Sequence, residues 1–247
     1  MTAVSGKLFH VLTCVADDDH DVVSLARLMQ LTGLPKATVY RLLVDMVEAG
    51  ILEHGPGGYS LGSRLFEFGT AAPRYRRLRE AALPYLEELR EQLPDTIHLA
   101  TVVGNKVLVL EKLHGRHHFR IPTAPGSKLP LHSTALGKVV LANSEELTES
   151  VFKGGLGPVT RRTVTAPGLL FRQIMRAREE GVAFEAEETV LAVGCAAAPL
   201  YNEDGTIIGA ISLVGDPTTK RTNSTVTRLR RTAHQITKCY NQELLAC

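Results

Sequence analysis

The chain has 247 residues, 44% hydrophobic and 22% charged, with four Cys, no Trp and a net charge of +2. Those proportions exclude the disordered, collagen-like and disulfide-dense classes. No apolar run reaches the ~18–20 residues that span a bilayer, and the first residues carry no secretory pattern, so a soluble protein without a membrane partner is expected.

Cys14, Cys195, Cys239 and Cys247 are widely spaced and form no CxxC pair. That usage points to reduced thiols and a cytoplasmic location. Charge is uneven along the chain. Residues 1–62 hold four Lys/Arg against seven Asp/Glu, whereas residues 63–79 hold five Arg against one Glu. The basic stretch is taken as a linker between an N-terminal domain (1–62) and a C-terminal domain (80–247).

In the first domain, Ser5 is read as the cap of a helix carrying Leu8, Val11, Leu12 and Val15, which ends at the acidic run Asp17–Asp21. Ser24 caps a short second helix bearing Leu25, Leu28 and Met29. Gly33 stops it, and Pro35 opens a third helix that buries Val39, Leu42, Leu43 and Met46 and stops at Gly50. Ile51–His54 and Tyr59–Leu61 then flank a glycine-rich turn as a β-hairpin. Three helices and a hairpin make a winged helix-turn-helix, with the helix-turn-helix itself at about 24–43. The third helix suits the ~12 Å major groove of B-DNA. Its polar face offers Lys36, Ala37, Thr38, Tyr40 and Arg41. The two cations reach phosphates or guanine edges, Thr38 and Tyr40 supply hydroxyls, and Ala37 meets a thymine methyl. The same shape also serves as a protein-contact module, and the domain's acidic balance keeps that alternative open.

The run GLPKATVYRLLVDMVEAGILEHGPGGYSLGSRLFEFG resembles the IclR family of bacterial transcriptional regulators, whose typical run is GLPKSTVHRLL…LEEAGYVE…GGYRLG. Ala37 stands where the family usually has Ser, and Tyr40 where His is common. Both departures bear on which operator is read. Residues 64–79 match the family's linker helix, interrupted only by Pro73. A further helix, from about Leu78 to Leu93, is expected to kink or restart at Pro84.

The second domain changes to strand patterns. Residues 97–103 and 107–113 flank the turn Gly104-Asn105, and 119–121 reads as a third strand. Residues 126–132 read as a loop, after which Ser133 or Thr134 caps a helix over Ala135–Ala142. A helix from Pro167 to Gly181 is followed by strands at 182–185, 194–198 and 206–214, with Asp204-Gly205 as a hairpin turn. A last helix carries Val226, Leu229, Ala233, Ile236 and Tyr240. The expected fold is mixed α/β (α+β): a winged helix-turn-helix joined by a linker helix to a domain with an antiparallel sheet of five or six strands.

LPLHSTALGKVVLA and GCAAAPLYNEDGTIIGAISLVG resemble the family's LPLHATALGKALLA and RCVAAPVFDADGRVVAALSVSG. The resemblance implies a GAF-like effector-binding domain. Carried across by position, the effector lining is His118, Leu129, Ala135, Leu136, Glu185, Cys195, Ser212 and Val214. Val214 replaces a frequent Ser, Glu185-Ala186 stand where acidic residues are common, Gly194 replaces a common Arg, and His118 stands where an apolar residue is usual. These departures suggest an effector larger or less polar than a two- or three-carbon acid. Independently of any family, the N-terminus of the helix at Ala135 offers amide hydrogens and a positive dipole end to a carboxylate.

The expectation is a ligand-responsive transcriptional regulator, a repressor or dual regulator of a catabolic operon. It binds a palindromic double-stranded operator as a homodimer or dimer of dimers and senses an organic acid or aromatic catabolite. No cofactor and no metal are expected, because no phosphate loop, dinucleotide fingerprint or ligand spacing occurs and His114, His117 and His118 lack partners. The alternatives are a thiol-dependent hydrolase using Cys195 with His98 or His132, or a metabolite sensor whose winged helix contacts protein.

Overall fold

The computed structural model describes residues 3–116, 121–218 and 222–245. The chain divides into two compact units, Met1–Pro73 and Arg74–Cys247.

The first unit contains α1 (Val4–Ala16), α2 (Leu25–Thr32), α3 (Lys36–Glu48), β1 (Leu52–Gly55), β2 (Gly58–Leu61) and α4 (Ser63–Ala71). Ser24 caps α2 as its position suggests, its Oγ accepting the Arg27 amide at 3.2 Å. Gly33 ends α2 in the left-handed conformation at φ 65°. Two local readings shift. Ser5 is not a cap, because α1 begins a residue earlier behind Ala3 and has no side-chain cap. Pro35 occupies the N-cap of α3 rather than its first turn. Leu28, Val39, Leu42, Leu43 and Met46 are at most 1% exposed and form the unit's core with Val11, Val15, Leu52 and Tyr59. Each such burial contributes about 1.5–3 kcal/mol over an exposed side chain.

The β1–β2 hairpin is tied down by Val23, which exchanges both backbone hydrogen bonds with Tyr59 at 2.8 and 2.9 Å. That approach explains Gly58, where a Cβ would sit 2.3 Å from the Val23 carbonyl oxygen.

The stretch 63–79 is not one linker helix. Helix α4 stops at Ala71, Ala72 is extended at ψ 100°, and α5 (Pro73–Gln92) starts afresh. The residue before a proline is pushed out of the helical region, which places the break at Ala72. Conversely, α5 runs on through Pro84. Pro84 faces solvent, so water can satisfy the carbonyl one turn back that its missing N–H leaves unpaired.

The second unit is built on one six-stranded antiparallel sheet. Its strands are β3 (Thr96–Val103), β4 (Lys106–Leu113), β5 (Lys128–Pro130), β6 (Ala183–Ala186), β7 (Gly194–Tyr201) and β8 (Ile207–Gly215), in the order β5-β4-β3-β8-β7-β6. Helices α5 and α9 (Asn223–Leu245) cover one face. Leu78, Leu86 and Leu89 of α5 and Leu229 and Ile236 of α9 pack there on Ile97, Leu99, Ala196, Ala198, Ile211 and Leu213. The other face carries α6 (Ala135–Ala142), α7 (Glu145–Gly154) and α8 (Pro167–Glu180), packed on Ala100, Val107, Ala183, Ala197 and Ala210. Strand residues alternate between these two cores, as the period-2 geometry of a strand demands.

Of the strand expected at 119–121, residues 119 and 120 lie outside the described residues, and Ile121 is in no strand. The stretch read as a loop contains β5, which pairs with Lys106–Leu108 of β4. Helix α7 is an addition to the expected elements, although Ser144 caps it and Glu145-Glu146 occupy its first turn.

Candidate functional site

Two regions carry the chemistry, one in each unit. In the first unit, α3 turns Val39, Leu42, Leu43 and Met46 inward, and Lys36, Ala37, Tyr40 and Arg41 are exposed while Thr38 is half-buried. Tyr40 keeps 54% of its surface accessible. The first turn of α3 holds no acidic residue. Two cations and the positive end of a helix dipole therefore share one face, a combination suited to a phosphate backbone. The acidic run before α2 is partly neutralised within itself: Asp18 accepts from Arg27 Nε at 3.1 Å and lies 2.8 Å from His20 Nδ1. Those hydrogen bonds, His20 first and then Arg27, hold the Asp18 carboxyl below the usual carboxylate range.

In the second unit, a cavity opens between the sheet and the start of α6. Seven of the residues singled out in the sequence (Leu129, Ala135, Leu136, Glu185, Cys195, Ser212 and Val214) line it together. The eighth, His118, lies outside the described residues. His98, Ile121, Thr123, Thr134, Thr189, Val190 and Val193 complete the wall, which encloses about 430 Å³ of atom-free space including its mouth.

Local geometry explains how the residues converge. Thr134 Oγ1 caps α6 by accepting the Gly137 amide at 2.9 Å, and Ala135 and Leu136, in the first turn where helix amides have no intrahelical acceptor, line the cavity. Pairing of β3 with β8 sets His98 opposite Ser212, and pairing of β6 with β7 sets Glu185 opposite Cys195. Ser212 is 1% exposed and its Oγ has no hydrogen-bond partner among the described residues. A buried hydroxyl left unpaired costs ~1–3 kcal/mol, so a donor or acceptor arriving in the cavity recovers stabilisation there.

The site's charges are set by burial. His98 is 2% exposed and shares a 2.9 Å hydrogen bond with Thr123 Oγ1. Burial, reinforced by Lys112 and His114, lowers its pKa to about 3, so the ring is neutral at physiological pH. Lys112 Nζ is occupied by the carbonyls of Ile121 and Thr123, at 2.9 and 2.7 Å. Glu185 is 4% exposed, and burial raises its carboxyl above the usual range despite hydrogen bonds from Cys195 and the Glu188 amide. Lys138, fully buried on α6, is hydrogen-bonded to Glu188, and burial draws its ammonium below the usual lysine value. No Lys or Arg lines the cavity among the described residues.

His98 enters the site in a role other than the one the sequence suggests, which is only that of a base for a cysteine nucleophile. The alternation along β3, which puts it on the face of Ala100, is the available signal. Thr189, Val190 and Val193 come from the β6–β7 connection, where the Glu187 amide bonds Val193 O at 2.7 Å and both Glu187 and Ala192 have positive φ. That loop geometry has no sequence signature.

Comparison with known proteins agrees with both units. Residues 6–56 match the IclR helix-turn-helix domain, and residues 71–238 match the C-terminal domain of bacterial transcriptional regulator IclR. The transcriptional repressor IclR of Escherichia coli (strain K12) is 28% identical over 228 residues, spanning 88% of this chain and 83% of that protein. The HTH-type transcriptional regulator XynR of the same organism is 30% identical over 195 residues, 77% of each chain. Among solved structures, an IclR homologue from Microbacterium hydrocarbonoxydans complexed with 4-hydroxybenzoate matches at a TM-score of 0.90 and 28% identity, covering 97% of this chain and 100% of that one. The Thermotoga maritima IclR structure, at a TM-score of 0.76 and 24% identity, shares the fold. With a helix-turn-helix in its first unit and the matching C-terminal domain in its second, this chain belongs to the IclR family of bacterial transcriptional regulators.

Proposed function

We propose that this chain is an effector-responsive repressor, acting in the cytoplasm as a homodimer or dimer of dimers on a palindromic operator. Lys36, Ala37, Thr38, Tyr40 and Arg41 read the DNA, and the cavity of the second unit holds a small carboxylate whose remainder is flat and largely apolar. The Ser212 hydroxyl carries this reading, because it is buried without a hydrogen-bond partner among the described residues and lines the same cavity as the first turn of α6. A carboxylate at that turn meets the positive end of α6, whose first turn has no acidic residue. The 4-hydroxybenzoate bound by the Microbacterium relative is such a molecule.

The protein is read as a regulator without catalytic activity. His98 and Cys195 do share the cavity, but the low pKa of His98 makes it a poor base for a thiol, and Cys195 is hydrogen-bonded to Glu185.

Selecting DNA sequences with the full chain, then measuring binding of Arg41→Ala, tests the DNA half. If Arg41 grips a guanine edge, the variant loses ~1–3 kcal/mol on the selected site and discrimination at one position relaxes. If it grips a phosphate, binding weakens on every sequence and the salt slope falls by about one. Unchanged binding at low and moderate salt removes Arg41 from the interface.

A further inference from the structure

Glu185 raises a problem for any anionic effector. Its carboxyl is 4% exposed and forms part of the cavity wall. Among the described residues, the charged and titratable groups that face it are Lys138 from α6, Glu188 from the loop after β6, and Cys195 from β7. Lys138 is the one cation among them, and it is already hydrogen-bonded to Glu188. His98, on β3 of the same sheet, is neutral, and the Lys112 ammonium is turned onto two backbone carbonyls. With Lys138 and Glu188 cancelling, an ionised Glu185 leaves the described residues of this pocket with one unbalanced negative charge before any ligand enters.

A carboxylate brings a second. The positive end of α6 amounts to about half an elementary charge, too little to balance two. Two like charges sharing a poorly hydrated site force one of them to take a proton. The effector's carboxylate can accept from first-turn amides of α6, which have no intrahelical acceptor, whereas among the described residues Glu185 accepts from the Glu188 amide and the Cys195 thiol.

We propose that binding of a carboxylate effector in this cavity is coupled to uptake of one solvent proton by Glu185, which changes from a buried carboxylate into a neutral carboxylic acid able to donate to the ligand. This rests on the reading of the cavity as the site of a carboxylate effector. The proton comes from water, and no covalent bond to the ligand forms. Linkage fixes the sign. Affinity for an anion is flat where Glu185 is already protonated and falls as pH rises through its raised free-state pKa, approaching tenfold per pH unit. Affinity for a neutral isostere does not follow that slope.

The test uses the full chain with two probes, 4-hydroxybenzoate and its neutral counterpart 4-hydroxybenzamide, titrated calorimetrically between about pH 5.5 and 8.5. The benzoate is expected to weaken at least about tenfold across the upper half of that range, while the benzamide changes less than about twofold. Near the upper end, titrations in two buffers of different ionisation enthalpy are expected to return about one proton taken up per benzoate bound. In Glu185→Gln the benzoate affinity becomes independent of pH and exceeds that of the wild type at the alkaline end. The two-buffer heats are read on the wild-type protein, so the outcome stands even if the variant folds poorly. Benzoate binding that is flat in pH and carries no buffer-dependent heat overturns the coupling and leaves the cavity assignment intact. Failure of both probes to bind at any pH overturns the carboxylate-effector reading and the coupling with it.

Discussion

Lys138→Met is expected to destabilise the second unit by ~3–5 kcal/mol, because it strands a buried carboxylate. Lys138 is fully buried and Glu188 is 4% exposed. Without the ammonium, Glu188 keeps only a long hydrogen bond from the Val164 amide, at 3.4 Å. At ~2–4 °C per kcal/mol for a domain of this size, the thermal midpoint should fall by roughly 6–20 °C. The companion Lys138→Met/Glu188→Leu removes both charges and is expected to recover most of the loss, since an apolar pair of similar volume is often as stable as a buried ion pair. Thermal and urea unfolding followed by far-UV circular dichroism checks both. A single variant that loses less than ~1 kcal/mol shows that Glu188 sheds its charge or finds water, contrary to a buried ion pair.

Gly137→Ala is the second large effect, and its cause is steric. A Cβ at Gly137 would lie 2.2 Å from the Leu131 carbonyl oxygen and 2.3 Å from its Cα, backbone atoms that no rotamer change can move aside. Overpacking of this kind costs ~1–3 kcal/mol where side chains can shift and more where the backbone must. The strain falls on the turn that presents Ala135 and Leu136 to the cavity, so ligand affinity should fall along with stability. Gly154→Ala is the matched control. It is also a helical glycine, but nothing lies within 4 Å of its added methyl. It is expected to be neutral or to stabilise by up to ~1 kcal/mol through helix propensity. Equal midpoints for the two variants would falsify the close approach of Leu131 to α6.

These two residues also show what a sequence conceals. A cap, a left-handed glycine and a buried stripe are local features, so Ser24, Gly33, the α3 core positions, the Gly104-Asn105 turn and the bounds of α6 are legible in the order of residues alone. The need for Gly137 depends on Leu131, and the role of Lys138 depends on Glu188, fifty positions away. Neither contact has a periodicity. Strand β5 is three residues long and exists only through its pairing with β4, which explains why its sequence reads as a loop. The break at Ala72 has a local cause in Pro73 and is readable, but the basic composition of 63–79 suggests continuity. Seven of the eight positions carried over by resemblance line one cavity, and the eighth, His118, lies outside the described residues. The residues missed come from β3 and from the connections β4–β5, β5–α6 and β6–β7, whose course depends on hydrogen bonds outside the strand ladders. His98 is visible as a residue, yet its neutral state follows from a burial that only the folded sheet reveals.

The fold and charge of the cavity matter to gene control only if its occupant changes DNA binding. An effector achieves that when it binds the DNA-competent and incompetent states unequally, typically by ~1–3 kcal/mol. The most direct measurement is the ligand concentration that half-releases a selected operator from the full chain, compared between wild type and Ser212→Ala. The ligand is the tightest binder from a carboxylate panel headed by 4-hydroxybenzoate. Because Ser212 Oγ has no hydrogen-bond partner among the described residues, the substitution should leave folding and ligand-free operator affinity unchanged. The half-release concentration should rise by about 2- to 12-fold for a lost neutral hydrogen bond, and by up to ~100-fold if Ser212 meets the charged end of the ligand. An unchanged half-release concentration, or a folded variant that no longer binds the operator, would contradict the account.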